Sequence, residues 1–440
     1  MSQLFLDRLL EGTLTDSETG ERLSVPVRKV TIGTGLAPVA AQLVVPLGLG
    51  RRLAVVMDAD TRRAMGEAVA GALSTGHLVE SIVLDPHPHP DMEVVEEVRA
   101  RSREADGLIA VGSGSINDIV KHAAHLAGKP YAVFGTALSM NGYTSSSAAI
   151  TEKGLKKSLA STAAQGVFLD LDVLAAAPKR LIAAGFGDSI CRCTAQTDWL
   201  MSHLIRGTPY RDTPFALQRE EEAALMADPG RLIAGDRAAV ALLARMLVLS
   251  GFGMTLAGGS YPASQGEHLI AHYIDMRGQN LPMAYHGEHI AVTTVTVARL
   301  QERVLGRTSL AIRANADTPA VFAREFGAEL GAECWNAFEP KLLDEEGAAA
   351  LNRRLAADWP DIRRRLLAVS RPSTEVKAAL ENVNAPVKPA DVGIPEPFYR
   401  EALRNARRIR DRFGVLDLAE AAGELDDFIA AETARPAAHA

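Results

Sequence analysis

Over the first ~175 residues, short apolar runs alternate with segments whose apolar positions recur every three or four residues. Leu53-Ala-Val-Val-Met-Asp58, Ser81-Ile-Val-Leu-Asp85, Leu108-Ile-Ala-Val111 and Tyr131-Ala-Val-Phe134 predict strands, and Val167-Phe-Leu-Asp170 is expected to close the sheet. Residues 61–73, 92–103 and 116–126 have helical spacing, and the second is a charged amphipathic helix. Proline keeps Pro86-His-Pro-His-Pro90 irregular. Strands alternating with helices imply a parallel sheet with helices on both faces.

After Pro178 the texture changes. Residues 181–204, 237–249, 268–276, 290–304 and 348–369 carry helical periodicity with few strand-like runs. Residues 386–397 form a proline-rich break, 401–412 a basic-faced helix, and the composition of 432–440 predicts disorder. No internal repeat is evident. The expected organisation is an α/β nucleotide-binding domain over 1–177 and an all-α domain over 178–440, with a ligand cleft between them. At 440 residues the chain is too long for one ordinary core.

Composition narrows the function classes. Hydrophobic residues make up 47% and charged residues 23%, as in an ordinary globular protein. A net charge of −7 without a long basic run argues against a nucleic-acid partner. No uninterrupted apolar stretch approaches membrane-spanning length, and the acid-bearing start does not read as a signal peptide, so a cytoplasmic protein is expected. The three cysteines, Cys191, Cys193 and Cys334, fit buried thiols in a reducing compartment.

Gly112-Ser113-Gly114-Ser115-Ile-Asn-Asp118 follows a predicted strand and opens a predicted helix. Glycine allows close backbone approach, and a helix N-terminus offers free amides to a phosphate. The third glycine of the dinucleotide fingerprint is missing, so a tight turn with Ser115 as helix cap is the competing reading. Thr136, Ser139 and Ser145 lie in the hydroxyl-rich loop after the next strand, at the same sheet edge, and can line phosphate or ribose. Asp58, at a strand end, either accepts from an adenosine ribose or caps the helix near Thr61.

Asp188 follows two glycines in Gly185-Phe-Gly-Asp, His268 stands in Ser264-Gln-Gly-Glu-His, and His286 opens His-Gly before a helix. One carboxylate and two imidazoles form an open divalent-metal set. His272 shares a helix face with His268, as either a substrate-facing or a packing histidine. His289 and His203 read as structural. A metal set and a dinucleotide turn in one chain point to metal-assisted hydride transfer at a carbonyl.

These motifs carry a resemblance. The chain resembles the sn-glycerol-1-phosphate dehydrogenase family, within the superfamily of iron-containing alcohol dehydrogenases, glycerol dehydrogenases and dehydroquinate synthases. The matching segments are Gly112 to Asp118 with Lys121, Thr136 with Ser139-Met-Asn-Gly142-Tyr, Gly185-Phe-Gly-Asp188, Thr197-Asp198-Trp199 with Ser202-His-Leu204, and Ser264 to His268 with His286-Gly. The resemblance implies that Asp188, His268 and His286 bind one divalent metal (zinc, nickel or iron). It implies that Gly112 and Gly114 hold the pyrophosphate of NAD(H) or NADP(H), and that Thr136 and Ser139 line the dinucleotide. The substrate implied is a small phosphorylated polyol, sn-glycerol 1-phosphate interconverted with dihydroxyacetone phosphate, and the assembly implied is a homodimer. Asn141 stands where the family usually has aspartate near substrate and nicotinamide. That departure keeps in view another polyol, alcohol or phosphonate aldehyde as substrate, and a dehydroquinate synthase-like carbon–oxygen lyase is a more distant alternative.

Overall fold

The computed structural model describes residues 2–152 and 155–433. Contacts divide the chain into two compact units that interleave along the sequence. The first takes Met1–Ser189, Asp212–Ser260 and Asn382–Asn384; the second takes Ile190–Arg211, Tyr261–Glu381 and Ala385–Ala440. The expected division at 177/178 cuts the chain once, where strands give way to helices.

The first unit is built on a six-stranded parallel sheet: β1 (Lys29–Gly33), β2 (Arg52–Met57), β3 (Leu78–Val83), β4 (Gly107–Gly112), β5 (Tyr131–Gly135) and, further along, β8 (Gly166–Asp170), in the order β1-β8-β5-β4-β2-β3. The inner strands β4, β5 and β8 are buried along their whole length, which explains their unbroken apolar runs. β3 lies at an edge and is mostly exposed, so its mixed sequence hid its true start, three residues before the expected one. β8 does not close the sheet: β1, with the weak pattern Lys-Val-Thr-Ile-Gly, pairs on its far side. Strands β6 (Ser147–Glu152) and β7 (Leu155–Ala160) form an antiparallel hairpin that the polar sequence did not announce.

Helices α1 (Met92–Arg101) and α2 (Gly114–Ala127) follow β3 and β4, in line with the helical spacing. The strand order reverses between β2 and β4. In such sheets ligands bind outside the carboxyl ends at that reversal. Asp58 directly follows β2 and Gly112 ends β4. The first unit also contains most of α3 (Lys179–Ile190). The long segment expected over 181–204 breaks at Cys191, after which α4 (Arg192–Arg206) belongs to the second unit. Helix α5 (Arg237–Leu256) is long and apolar enough to cross a membrane by composition, but 67% of its apolar window is buried within the protein.

The second unit is helical. Helices α4, α6 (Gly266–Arg277) and α7 (His286–Leu305) contribute Met201, Ile270, Tyr273, Val292 and Val297 to a core completed by Trp359, Leu366 and Tyr399 from later helices. The basic segment expected as one helix over 401–412 is the end of a helix, Glu396–Asn405, followed by a tighter turn, Ala406–Ile409. Residues 434–440, within the stretch expected to be disordered, lie outside the described residues, and 432–433 end a helix.

Candidate active site

In the first unit the glycine turn carries β4 directly into α2. A side chain at Gly112 would meet Cβ of Ile116 at 2.5 Å, so glycine is what lets the helix fold back against its own strand. Ser113, not Ser115, occupies the cap position, and it makes no side-chain cap hydrogen bond. The first helical bond runs from the Asn117 amide to the Ser113 carbonyl at 2.9 Å. The amides of Gly114, Ser115 and Ile116 precede that bond, so the helix N-terminus presents them with its partial positive charge to an anion. A Cβ at Gly114 would stand 3.0 Å from Met140. The Thr136 amide donates to the Gly112 carbonyl at 3.1 Å, which ties the second loop to the first.

The second loop is organised by Lys121, a residue without an assigned role in the sequence reading. Its ammonium is fully buried and donates to the carbonyls of Gly142 (2.6 Å) and Ser147 (2.9 Å) and to the Ser145 hydroxyl (3.2 Å). Asp118, one turn earlier on α2, pairs with it at 3.3 Å and also accepts from the Ala149 amide at 3.1 Å. Burial pulls the Lys121 ammonium down from its ordinary pKa, and Asp118 opposes that shift. Asp118 and Ser145, both predicted to line a cofactor, are thus engaged in holding the loop. Asp58 accepts from the amide and hydroxyl of Thr61 at 2.8 and 2.9 Å, so it does cap the helix that follows β2.

Asp188 is positioned by the glycine one turn before it. A Cβ at Gly185 would lie 1.7 Å from the Leu138 carbonyl oxygen, so α3 rests backbone against backbone on the loop after β5. That approach brings the nearly fully buried Asp188 carboxylate to the Asn141 amide, which donates to it at 3.0 Å. The Asn141 side-chain amide donates to the Ser250 hydroxyl on α5 at 3.1 Å.

The second unit gathers three imidazoles. His268 and His272 project from one face of α6, and His286 is the first residue of α7. Ring centroids are 5.3 Å apart for His268 and His286, 5.8 Å for His272 and His286, and 5.7 Å for His268 and His272. Nδ1 of His268 lies 3.1 Å from Glu267 Oε1, and Glu267 also accepts from the Gln265 amide (2.8 Å) and the Thr194 hydroxyl (3.0 Å). A carboxylate at Nδ1 orients the ring as it does in metal-ligating histidines, in which the opposite nitrogen faces the cation. Burial, then the positive charge of Arg410 and the two neighbouring imidazoles, holds His272 well below the ordinary histidine range. A neutral imidazole is the form that ligates a metal or accepts a proton. His268 and His286, with Glu267 behind, therefore fit a divalent cation by spacing and by donor chemistry. Cys191 also lies within ligand distance of Glu267 and His268, but the Glu267 carboxylate is already satisfied by its three donors.

Behind Glu267 sits Asp198, a fully buried carboxylate that accepts from the side chain of Gln301 at 2.8 Å and the Gly266 amide at 3.3 Å. A Cβ at Gly266 would meet Asp198 at 2.8 Å, so this glycine admits the carboxylate to the N-terminus of α6. Burial first, and then the neighbouring Glu267 charge, raises the Asp198 pKa to about 7. Asp198 and Glu267 lie inside family-like motifs, but no local sequence pattern gives either a task. His289 pairs with Asp275 at 3.1 Å and His203 with the Thr208 carbonyl at 2.7 Å, which matches their structural assignment.

Comparison with known proteins places this geometry. Residues 31–178 match the family described as iron-containing alcohol dehydrogenase. A glycerol-1-phosphate dehydrogenase [NAD(P)+] of Pyrococcus furiosus is 31% identical over 273 residues, 62% of this chain and 78% of that protein. The chain belongs to the glycerol-1-phosphate dehydrogenase family of iron-containing alcohol dehydrogenases. A glycerol-1-phosphate dehydrogenase [NAD(P)+] of Bacillus licheniformis is 27% identical over 394 residues, 88% of this chain and 87% of its own. Two solved structures share the fold at low identity. An NADH-dependent butanol dehydrogenase of Thermotoga maritima has a TM-score of 0.62 at 18% identity, covering 93% of this chain and 97% of its own. A probable glycerol dehydrogenase of Sinorhizobium meliloti has a TM-score of 0.61 at 18% identity with the same coverage. The helical region after the parallel sheet, expected from periodicity, is thus the family's architecture.

Proposed function

We propose that this chain interconverts sn-glycerol 1-phosphate and dihydroxyacetone phosphate, using NAD(H) or NADP(H) and one divalent metal: zinc, nickel or iron. Oxidation passes a hydride from C2 of the substrate to the nicotinamide and releases the hydroxyl proton. The observation that carries the reading is the trio of His268, His272 and His286, with Glu267 fixing His268, in a member of this family. When bound, the metal supplies Lewis acidity toward the substrate oxygen, and the nicotinamide supplies or takes the hydride.

The chain's own residues bind and orient. His268 and His286 are assigned as metal ligands, with Asp188 as the third on the strength of the family resemblance. The Asn141 amide fixes the Asp188 carboxylate at Oδ2. The glycine turn Gly112, Ser113, Gly114 and Ser115 takes the pyrophosphate, with the amides of Gly114, Ser115 and Ile116 at the start of α2 turned to it. Thr136 and Ser139 line the dinucleotide, and Asp58, which caps its helix through Oδ1, offers its other oxygen to the ribose. Asp118 and Ser145 act through Lys121 by holding the loop. His272, neutral and with a buried Nδ1 that has no hydrogen-bond partner among the described residues, carries the proton. A homodimer in the cytoplasm completes the proposal.

Asn141 favours one second reading on the same scaffold. Its amide is engaged by Ser250 and bears no charge, so a different polyol, alcohol or phosphonate aldehyde is the rival substrate. Absorbance at 340 nm decides between them. Consumption of NADH or NADPH with dihydroxyacetone phosphate, dependent on added divalent metal, is the expected result. A folded protein that turns over only other carbonyl compounds would replace this reading with the rival.

A further inference from the structure

Residues 400–412 hold six arginines, and five have visible partners. Arg400 pairs with Glu396 at 2.6 Å, Arg404 with Asp426 at 2.9 Å, and Arg407 and Arg408 with the buried Asp317 at 2.5 and 2.7 Å. Arg412 donates to the Ser264 carbonyl and lies over the Tyr261 ring at 4.9 Å. Arg410 differs from the rest. It is half-buried, yet it has neither an ion pair nor a hydrogen bond among the described residues. Burial disfavours its charge, and only the adjacent Asp411 acts to support it.

The segment bearing Arg410 is held on both sides. Lys341 donates to the carbonyls of Arg407 (2.6 Å) and Arg412 (2.8 Å) and pairs with Asp417 at 3.0 Å. The turn Ala406–Ile409 packs on α6, the helix of His268 and His272, and the Arg412 contact to Ser264 ties the far side to the start of the same helix. Arg410 is therefore an unpaired cation on a braced loop beside the imidazole trio. Desolvating a guanidinium is costly unless an anion pairs with it, and the planar fork suits the oxygens of a phosphate.

We propose that Arg410 binds the phosphate of the substrate and so holds the phosphorylated end beside the histidine cluster. The inference rests on the glycerol-phosphate reading above and names the phosphate-binding residue that the sequence did not reveal. Rivals for the same chemistry are dissolved anions, which the test separates.

The experiment uses the full chain as wild type, Arg410→Gln, Arg410→Lys and, as a control, Arg404→Gln. Rates are measured with dihydroxyacetone phosphate and with dihydroxyacetone, and melting temperature is read with and without inorganic phosphate. Arg410→Gln should lower kcat/KM for dihydroxyacetone phosphate roughly 10- to 100-fold, mainly through KM, the effect of losing a charge-assisted contact. Its rate with dihydroxyacetone should stay at the wild-type level, and the phosphate-induced melting shift should disappear. Arg410→Lys should retain part of both effects, and it replaces the glutamine variant if that one fails to fold. Arg404→Gln should match wild type throughout.

An Arg410→Gln enzyme that keeps the wild-type preference for the phosphorylated substrate would overturn the assignment. Loss of the phosphate shift with that preference unchanged would mean that the site takes dissolved anions, which also overturns it. A wild type that is inert toward dihydroxyacetone phosphate would instead sink the underlying functional reading, and the substrate assignment with it.

Discussion

In the first unit, what is offered to a ligand is backbone. The amides at Gly114, Ser115 and Ile116 face outward because Gly112 lets α2 fold tightly onto β4, and the side chains nearby hold the loops in place. In the second unit, what is offered is side chain. Three imidazoles on two helices converge, and the buried Glu267 carboxylate orients His268 through its Nδ1. A backbone site tolerates substitution wherever a side chain only supports it, but fails when a glycine gains a Cβ. A side-chain site has the opposite sensitivity.

That contrast breaks most sharply at His268. Replacing it with alanine should remove the bound divalent metal and abolish metal-dependent turnover, while nucleotide binding by the first unit persists. Metal analysis and cofactor fluorescence titration on the same sample check both halves. Retained metal and turnover would refute the assignment of His268.

The backbone side of the contrast is tested at Gly185. A methyl group there would sit 1.7 Å from the Leu138 carbonyl oxygen, so the helix or the loop must move. Gly185→Ala should cost about 3 kcal/mol of stability, visible as a lowered melting temperature. A variant as stable as wild type would show that α3 does not rest on the loop as described.

The effect seen only as a change of slope with pH concerns Asp198. Its carboxyl titrates near 7 in the folded protein and near 3.8 when unfolded. The folded state thus binds more protons between those values, so this group's stabilisation is complete below pH ~4 and is lost as pH rises toward 7. The slope is at most about 1.4 kcal/mol per pH unit for one proton. Thermal unfolding from pH 4 to 7 should be flatter for Asp198→Asn than for wild type, and parallel curves would count against the raised pKa.

The two units also differed in how far the sequence disclosed them. The strands β2, β4 and β5 were legible because both faces of a central parallel strand are buried, which leaves an unbroken apolar run. β1 and the β6–β7 hairpin were not, because half-exposed strands admit lysine, threonine and serine. Spacing of i and i+4 puts His268 and His272 on one helix face, and His286 stands out as the His-Gly that opens the next helix. Asp198 and Glu267 were silent for a different reason. Their partners Gly266, Gln301 and Thr194 lie 68 to 103 residues distant, and no local pattern encodes such contacts. Arg410 stood in a basic run where only the structure distinguishes the paired arginines from the lone one.

Lys341 gives the loop at 407–412 a property that sequence variation must respect. One ammonium bridges the carbonyls at its two ends, so it works as a clasp that needs no disulfide and ignores the redox state of its surroundings. Such a clasp reads main-chain atoms and is indifferent to the side chains it spans. Residues between the clasped ends can drift and acquire new specificities, but the number of residues between them cannot change without opening the clasp. The loop is in that sense free in spelling and fixed in length.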